Sequence, residues 1–239
     1  MKALILNSGI GKRMGALTQQ APKCMTPLTT GQTILSRQLA QLAAAGITEV
    51  IITTGPFEDI LRQHVAESAG DLQVTLINNP QYAQTNYIYS IFLAKELLKD
   101  DILLLHGDLV FDGAILTQLL AQPQSHITVS STLPLPEKDF KAVIQEGQIV
   151  KVGVEFFEHA LAAQPLYCLQ KADWHTWLTA MEVFVARGEV GCYAENALNT
   201  LEGACALYPF DVRDTLCAEI DTPEDLMKIN MVLGEVNYK

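Results

Sequence analysis

Through the first half of the chain, short apolar runs alternate with stretches whose apolar residues recur at helical spacing. Residues 2–6, 102–105 and 127–131 read as buried strands. Residues 49–53 form a β-branched strand ended by Gly55-Pro56, and residues 72–77 a strand stopped at Asn78-Asn79-Pro80. Between them, 34–45, 57–68, 88–98 and 113–121 carry the helical period, and Gly46 closes the first of these helices. This β-α-β-α-β order predicts an α/β, Rossmann-like fold: a mostly parallel sheet flanked by helices on both faces. Ligands in such sheets bind beyond the carboxyl ends of the strands.

The second half is less regular. Residues 142–145 and 149–153 flank Glu146-Gly147 as a hairpin. Residues 166–169, 204–208 and 217–220 read as short strands, and 172–186 as a helix. Trp174 and Trp177 fall on one face of that helix as packing residues. The last helix opens at Asp221-Thr222-Pro223-Glu224, with Thr222 as N-cap and Pro223 at the first helical position. This half predicts a small mixed β extension. No repeat, low-complexity tract or linker interrupts the pattern, so one domain is expected over 1–239.

Composition narrows the function. The chain has 239 residues, 49% apolar and 18% charged, enough for a sizeable core. A formal net charge of −11 argues against a partner such as nucleic acid or an anionic membrane surface. Any phosphate has to be held by a few locally placed basic groups. No apolar run is long enough to span a bilayer and no signal peptide is visible, so a cytoplasmic location is expected. The five cysteines are scattered without a C-x-x-C pair and read as reduced thiols, and the histidines show no ligand spacing.

The first candidate chemistry is the loop after the first strand, Leu6-Asn7-Ser8-Gly9-Ile10-Gly11-Lys12-Arg13-Met14-Gly15, followed by Pro22-Lys23. Its glycines let backbone N–H groups approach an anion, and Arg13 and Lys23 add fixed positive charge. It is neither the dinucleotide fingerprint, which wants Gly at the position of Met14, nor a Walker loop, which wants Gly-Lys-Ser/Thr. The second is a set of carboxylates. Asp108 lies at a strand's carboxyl end. Glu219 and Asp221, two apart, face the same way on an extended strand. Together they suit one hard cation held through oxygen. Taken alone, Gly107-Asp108 is equally compatible with a plain turn, and Asp221 with a helix cap.

These blocks resemble the signature of the nucleotidyltransferases that activate sugar phosphates and phosphoalcohols. That signature is Leu-Ala-Ala-Gly-x-Gly-x-Arg-Met followed by Pro-Lys, although Asn7-Ser8 stands here where Ala-Ala or Ala-Gly is usual. Thr85-Asn86-Tyr87-Ile88-Tyr89-Ser90 is similar to the Asn-Asn-x-Tyr-Ser block of bacterial phosphocholine-type cytidylyltransferases. His106-Gly107-Asp108 and Glu219-Ile220-Asp221 resemble the family's two metal blocks. The resemblance implies transfer of a nucleotidyl group from an NTP, here CTP, to a small phosphorylated or phosphonylated amine or alcohol, with release of pyrophosphate. It implies nucleotide contacts from Leu6, Asn7, Ser8, Gly9, Gly11, Lys12, Arg13, Lys23, Thr85, Asn86 and Ser90. Arg13 and Lys23 would be catalytic, and Asp108, Glu219 and Asp221 would hold Mg2+.

Tyr193-Ala194-Glu195-Asn196 resembles the Tyr-Trp-Asp-Asn of the phosphocholine enzymes, and Phe140 sits where they carry Trp. Phe140, Tyr193 and Glu195 are therefore the expected acceptor contacts, with Ala194 favouring a primary ammonium over choline. Two other readings stand beside this one. The first is a sugar-1-phosphate nucleotidyltransferase using UTP or dTTP. The second is a non-catalytic nucleotide-sensing subunit, which predicts loss of Lys23 or the carboxylates.

Overall fold

A computed structural model describes residues 1–236. Strands β1 (Lys2–Asn7), β2 (Glu49–Thr54), β3 (Gln73–Asn78) and β4 (Ile102–His106) run parallel in the order β3-β2-β1-β4. β1, β2 and β4 are apolar on both faces because helices cover both. Ala3, Ile5, Ile52 and Leu105 point to α1 (Ile34–Ala44), α2 (Glu58–Ser68) and α4 (Gly113–Leu120). Leu4, Leu6, Ile51 and Leu104 point the other way, to α3 (Tyr87–Ala94) and α5 (Lys171–Ala186).

The remaining strands are β5 (Leu109–Phe111), β6 (Ser125–Ser130), β7 (Lys141–Gln145), β8 (Gln148–Gly153), β9 (Ala160–Leu169), β10 (Leu207–Asp211) and β11 (Cys217–Glu219). β9 runs antiparallel between β4 and β6. β10 lies parallel to β6 and antiparallel to β8. β7 pairs with both β8 and β9, so β9, β6, β10, β8 and β7 close into a circuit. This is the mixed extension the sequence predicts. β5 and β11 stand apart as a two-stranded ribbon.

Capping explains where key helices start. Thr33 accepts the N–H of Ser36 at 3.0 Å while the Ser36 hydroxyl accepts that of Thr33 at 2.9 Å, a reciprocal cap on α1. α7 (Pro223–Val236) begins the same way: Thr222 accepts the N–H of Asp225 at 3.2 Å, and the Asp225 carboxylate takes that of Thr222 at 2.9 Å. Trp174 and Trp177 are fully buried, their indole N–H groups donating to the carbonyls of Leu98 and Ala194 at 2.8 and 2.9 Å. Truncating either would cost about 3–5 kcal/mol.

Several boundaries differ from expectation. β9 starts at Ala160 rather than 166, running through Pro165, which cannot donate to a ladder and so looks like a strand end. The Thr128 hydroxyl bridges the irregularity by donating to the carbonyls of Gln164 and Leu166. β10 occupies Leu207–Asp211 rather than 204–208, and α3 tightens into a 3-10 turn after Ala94. The one-turn helix α6 (Ala194–Leu198) and strand β5 are too short to show a period. The five cysteines are free thiols, and among the described residues no helix is long and apolar enough to cross a membrane.

Candidate active site

The carboxyl ends of β1 and β4 open onto a cleft of about 340 Å3. Along one side runs the glycine-rich loop. β1 leaves the sheet at Asn7, whose N–H donates to the Thr53 hydroxyl at 3.0 Å. Gly11 turns the loop with φ 68°, and a Cβ there would also crowd Thr18 and Lys23, 3.2 and 3.3 Å away. The Thr18 hydroxyl donates to the Gly11 carbonyl at 2.9 Å, closing a 3-10 segment over Lys12–Thr18. Leu6, Asn7, Gly9, Gly11, Lys12 and Arg13 all reach the cleft.

Opposite the loop lie the three expected carboxylates. The turn from β4 to β5 carries Asp108 and is pressed against β1. The Gly107 N–H donates to the Leu6 carbonyl at 2.9 Å, and a Cβ on Gly107 would fall 2.8 Å from Asn7 Oδ1. β11 brings Glu219 beside it, and Asp221 follows. Lys23 Nζ spans the gap, donating to Asp108 Oδ2 at 2.5 Å and Asp221 Oδ1 at 2.6 Å. Arg13 Nη2 reaches Asp221 at 3.0 Å.

Burial pulls the Lys23 ammonium down, but Asp108 and Asp221 outweigh it and hold its pKa above the ordinary lysine value. Burial likewise opposes ionisation of Asp108, and Lys23 and then His106 more than compensate, leaving it below the usual range. Glu219 differs: burial and the Asp108 charge push it up to about 7.

His106 holds Glu219 at 2.9 Å through Nδ1. Burial lowers its pKa, and Glu219 overcomes this and raises it to about 8. This histidine was legible only as part of a motif. Asp139, also unforeseen, brings a carboxylate oxygen within 4.8 Å of others from Glu219 and Asp221. Its pKa is raised by burial and then by Asp221.

Four buried polar atoms here have no protein partner: Asn7 Nδ2, Ser8 Oγ, His106 Nε2 and Asp108 Oδ1. Each such orphan costs about 1–3 kcal/mol unless something else satisfies it. The candidate ligands fall into two overlapping groups that share Glu219, one with His106 and Asp108 and one with Asp139 and Asp221, and the carboxylates among them suit a hard divalent cation.

A side chamber of about 190 Å3 continues from the cleft between Ser8, Asn86 and Ser90. Asn79 organises it, its amide donating to Thr85 Oγ1 at 3.0 Å and Ser90 Oγ at 2.9 Å. In the sequence Asn79 looks only like a strand terminator. Asn86 caps α3, its side chain accepting the Tyr87 N–H at 2.7 Å.

The far wall is aromatic. Phe140 and Tyr193 meet edge to face with centroids 5.0 Å apart, and Tyr87 lies 5.8 Å from Tyr193. Glu195 does not reach the cleft as expected. It is 2% exposed, in the first turn of α6, and its carboxylate accepts the hydroxyls of Tyr87 and, at 2.9 Å, Tyr167. A one-turn helix after Tyr193 swings Glu195 inward, where it holds Tyr87 and Tyr167 rather than lining the cleft. Ala194 is buried beside it.

The family of MobA-like NTP transferase domains matches residues 3–180. Over 236 residues, 94% of the chain, it is 29% identical to the CMP-5'-(3-aminopropyl)phosphonate synthase of Streptomyces rubellomurinus, and it spans 37% of that protein's length. It is 23% identical to the choline-phosphate cytidylyltransferase of Streptococcus pneumoniae, covering 99% of this chain and 100% of that one. Its fold matches the structure of the CTP:phosphocholine cytidylyltransferase from Streptococcus pneumoniae with a TM-score of 0.80 at 18% identity, over 97% of this chain and 98% of that chain.

Proposed function

The chain belongs to the family of MobA-like NTP transferase domains, and from that premise we propose that it is a cytidylyltransferase. In this reading it moves CMP from CTP to a small phosphorylated or phosphonylated amine or alcohol. The observation that carries the reading is the meeting of Lys23 with Asp108 and Asp221, residues 85 and 198 positions away in the chain, at the mouth of the glycine-rich loop. A non-catalytic sensor has no use for that convergence. The names of the relatives, a CMP-phosphonate synthase and a choline-phosphate cytidylyltransferase, favour cytosine as the base and an amine-bearing acceptor.

An acceptor phosphate or phosphonate oxygen attacks the α-phosphorus of CTP in line. The new P–O bond forms as the bond to pyrophosphate breaks, and pyrophosphate leaves with the electron pair. The attacking oxygen is already anionic, so no general base is needed, and positioning and charge stabilisation carry the rate. Amides of the loop with Arg13 and Lys12 bind the triphosphate. Lys23 leaves its two carboxylates to follow the charge that develops on the phosphoryl oxygens.

Asp108, Glu219 and Asp221 hold Mg2+, which supplies Lewis-acid neutralisation of the phosphates when bound. Asn79, by holding Thr85 and Ser90, shapes the chamber for the base. Tyr87, Phe140 and Tyr193 offer ring faces to an acceptor ammonium.

The test is pyrophosphate release with CTP, UTP, dTTP and ATP against a panel of phosphorylated and phosphonylated amines, alcohols and sugars, with Mg2+ and with EDTA. CTP with an amine-bearing acceptor should lead. Faster turnover of UTP or dTTP with sugar phosphates would replace this reading by the sugar-1-phosphate one.

A further inference from the structure

Glu219 sits on the β5–β11 ribbon, which is separate from the main sheet, and Asp108 in the turn that leads into it. A ribbon of three residues per strand is too small to hold a fixed shape alone. Its own ladder ties the two carboxylates together: Leu109 faces Glu219, and the Ile220 N–H donates to the Asp108 carbonyl at 3.0 Å. Leu109, Val110, Phe111 and Cys217 bury the ribbon in the apolar core, and the Gly107 N–H ties the turn before it to β1, but the directional side-chain bonds that fix its carbonyls come from α1.

Gln38, 1% exposed, gives both amide hydrogens to the Asp108 turn, one to the His106 carbonyl at 2.9 Å and one to the Leu109 carbonyl at 2.8 Å. Gln41 donates to the Phe111 carbonyl at 2.9 Å, and Arg37 to the same carbonyl at 3.3 Å. The two amides cannot be turned round, because every partner of Nε2 is a carbonyl that only accepts. Both amide oxygens are buried without partners, so the glutamines are retained for their donors.

We infer that Gln38 and Gln41 are positioning residues that clamp the β5–β11 ribbon and the turn before it to α1 and thereby fix where Asp108 and Glu219 are presented to the glycine-rich loop. The inference rests on the reading of these carboxylates as the metal-binding pair of a nucleotidyltransferase. Neither glutamine touches the cleft. Gln38 brackets Asp108 from both sides in sequence, so its loss frees the turn directly. Gln41 grips the ribbon three residues further on, so its loss is felt less.

The test compares wild type, Gln38→Met and Gln41→Met as full-length chains. Methionine keeps length and volume but donates no hydrogen bond. Mn2+ binding without nucleotide is measured by electron paramagnetic resonance, CTP kinetics at saturating metal, and Tm by calorimetry. Gln38→Met should weaken Mn2+ binding at least about tenfold, in the range seen when outer-shell partners of metal ligands are lost. Its kcat should fall while the KM for CTP stays within about twofold, and Gln41→Met should shift in the same direction by about threefold.

A merely structural role would lower Tm and leave Mn2+ affinity and kcat unchanged, and that result overturns the clamp. Should Gln38→Met not fold, Gln41→Met decides by the same measurement: unaltered Mn2+ affinity overturns the inference. A wild type that binds no Mn2+ overturns the metal reading and the clamp's purpose together, whereas binding that is identical in all three proteins overturns the clamp alone.

Discussion

Two carboxylate centres flank the cleft, and their charges are balanced in opposite ways. Asp108 and Asp221 share the ammonium of Lys23 and, at the rim, the guanidinium of Arg13, whose side chain is 60% exposed. Glu195 forms no ion pair among the described residues, although its charge helps to raise the pKa of the nearby His106. Its two oxygens take the hydroxyls of Tyr87 and Tyr167, which burial and then the Glu195 charge push well above the ordinary phenol value, so they remain donors. An ion pair on long side chains can exchange its cation for another, or lend it to a phosphate. A buried, hydrogen-bonded carboxylate cannot be relieved without leaving a charge or a donor unpaired. The first centre is built for charge that moves, and the second is framework. The pairing chemistry separates them; burial alone does not.

The strongest test of that division is Asp108→Asn. It removes the anion that both Lys23 and a divalent cation need, and it leaves the packing of a turn already held by Gln38 and Gly107. Turnover should fall at least about 1000-fold at saturating Mg2+, with near-ultraviolet circular dichroism unchanged. Wild-type activity in this variant would place the chemistry elsewhere.

Lys23→Ala should follow with a smaller loss. The lysine contacts only carboxylates before nucleotide arrives, so its contribution is made mainly in the transition state. CTP should bind with near-normal Kd by calorimetry while kcat drops about a hundredfold. A near-normal kcat would demote Lys23 to a neutralising framework residue and erase the contrast with Glu195.

How legible each centre was in the sequence follows from how it is built. The parallel half announces itself through apolar runs between helical periods, and its chemistry hangs on loops at strand ends. A local motif therefore marks Gly11, Arg13, Lys23 and Asp108. The aromatic wall of the cleft is assembled from Tyr87, Phe140 and Tyr193, on three separate segments. Here only two of the rings were found, and both came by resemblance. Glu195 is placed at the acceptor by the same resemblance, and nothing in Tyr193-Ala194-Glu195 shows that a one-turn helix turns its side chain inward. Asn79 reads as a strand terminator and His106 as a histidine without ligand spacing just past a strand, and their roles come from partners 11 and 113 positions away. Gln38 falls on the buried side of α1 among leucines, where nothing in the periodicity marks a polar residue as essential.

Glu195→Gln probes the framework side. A glutamine carbonyl can accept from one tyrosine and its NH2 can donate to the other hydroxyl oxygen, but that second tyrosine's O–H then has no acceptor. That costs about 1–3 kcal/mol, and for a chain of this size each kcal/mol lowers Tm by about 2–4 °C. The Tyr87 ring should loosen against Tyr193, raising the acceptor KM by about tenfold at most, the scale of an exposed-to-desolvated cation–π contact, with the KM for CTP unchanged. A higher acceptor KM at unchanged Tm would instead mean that Glu195 touches the acceptor directly.

The smallest effect is the response to pH, and between neutral and mildly alkaline pH it should arise chiefly at the movable centre. In the metal-free protein His106 is raised from its ordinary 6.5 to about 8, chiefly because Glu219 outweighs the burial that would lower it. A base whose folded pKa is raised contributes stability that is fully present below the ordinary value and is lost as pH climbs through about 8. Glu219, raised from 4.5 to about 7 by burial and Asp108, acts in the same sense, because ionising it in the fold is disfavoured. Asp108 acts oppositely but at the acid end, where its depressed pKa makes stability fall as pH drops.

Tm in EDTA should therefore decline between about pH 6.5 and about pH 8.5, the window in which histidine charge is lost. His106→Gln should flatten that decline. Added Mg2+ should offset it, since a divalent cation binds the deprotonated carboxylates and stabilises the folded state by mass action. The Tyr87 and Tyr167 hydroxyls do not titrate across this window, because they are held above it, and Glu195 acts in it only through its charge on His106. A Tm that rises from about pH 6.5 to about pH 8.5 in EDTA would reverse the sign assigned to the His106–Glu219 pair. A decline that persists in His106→Gln would move its origin away from the movable centre.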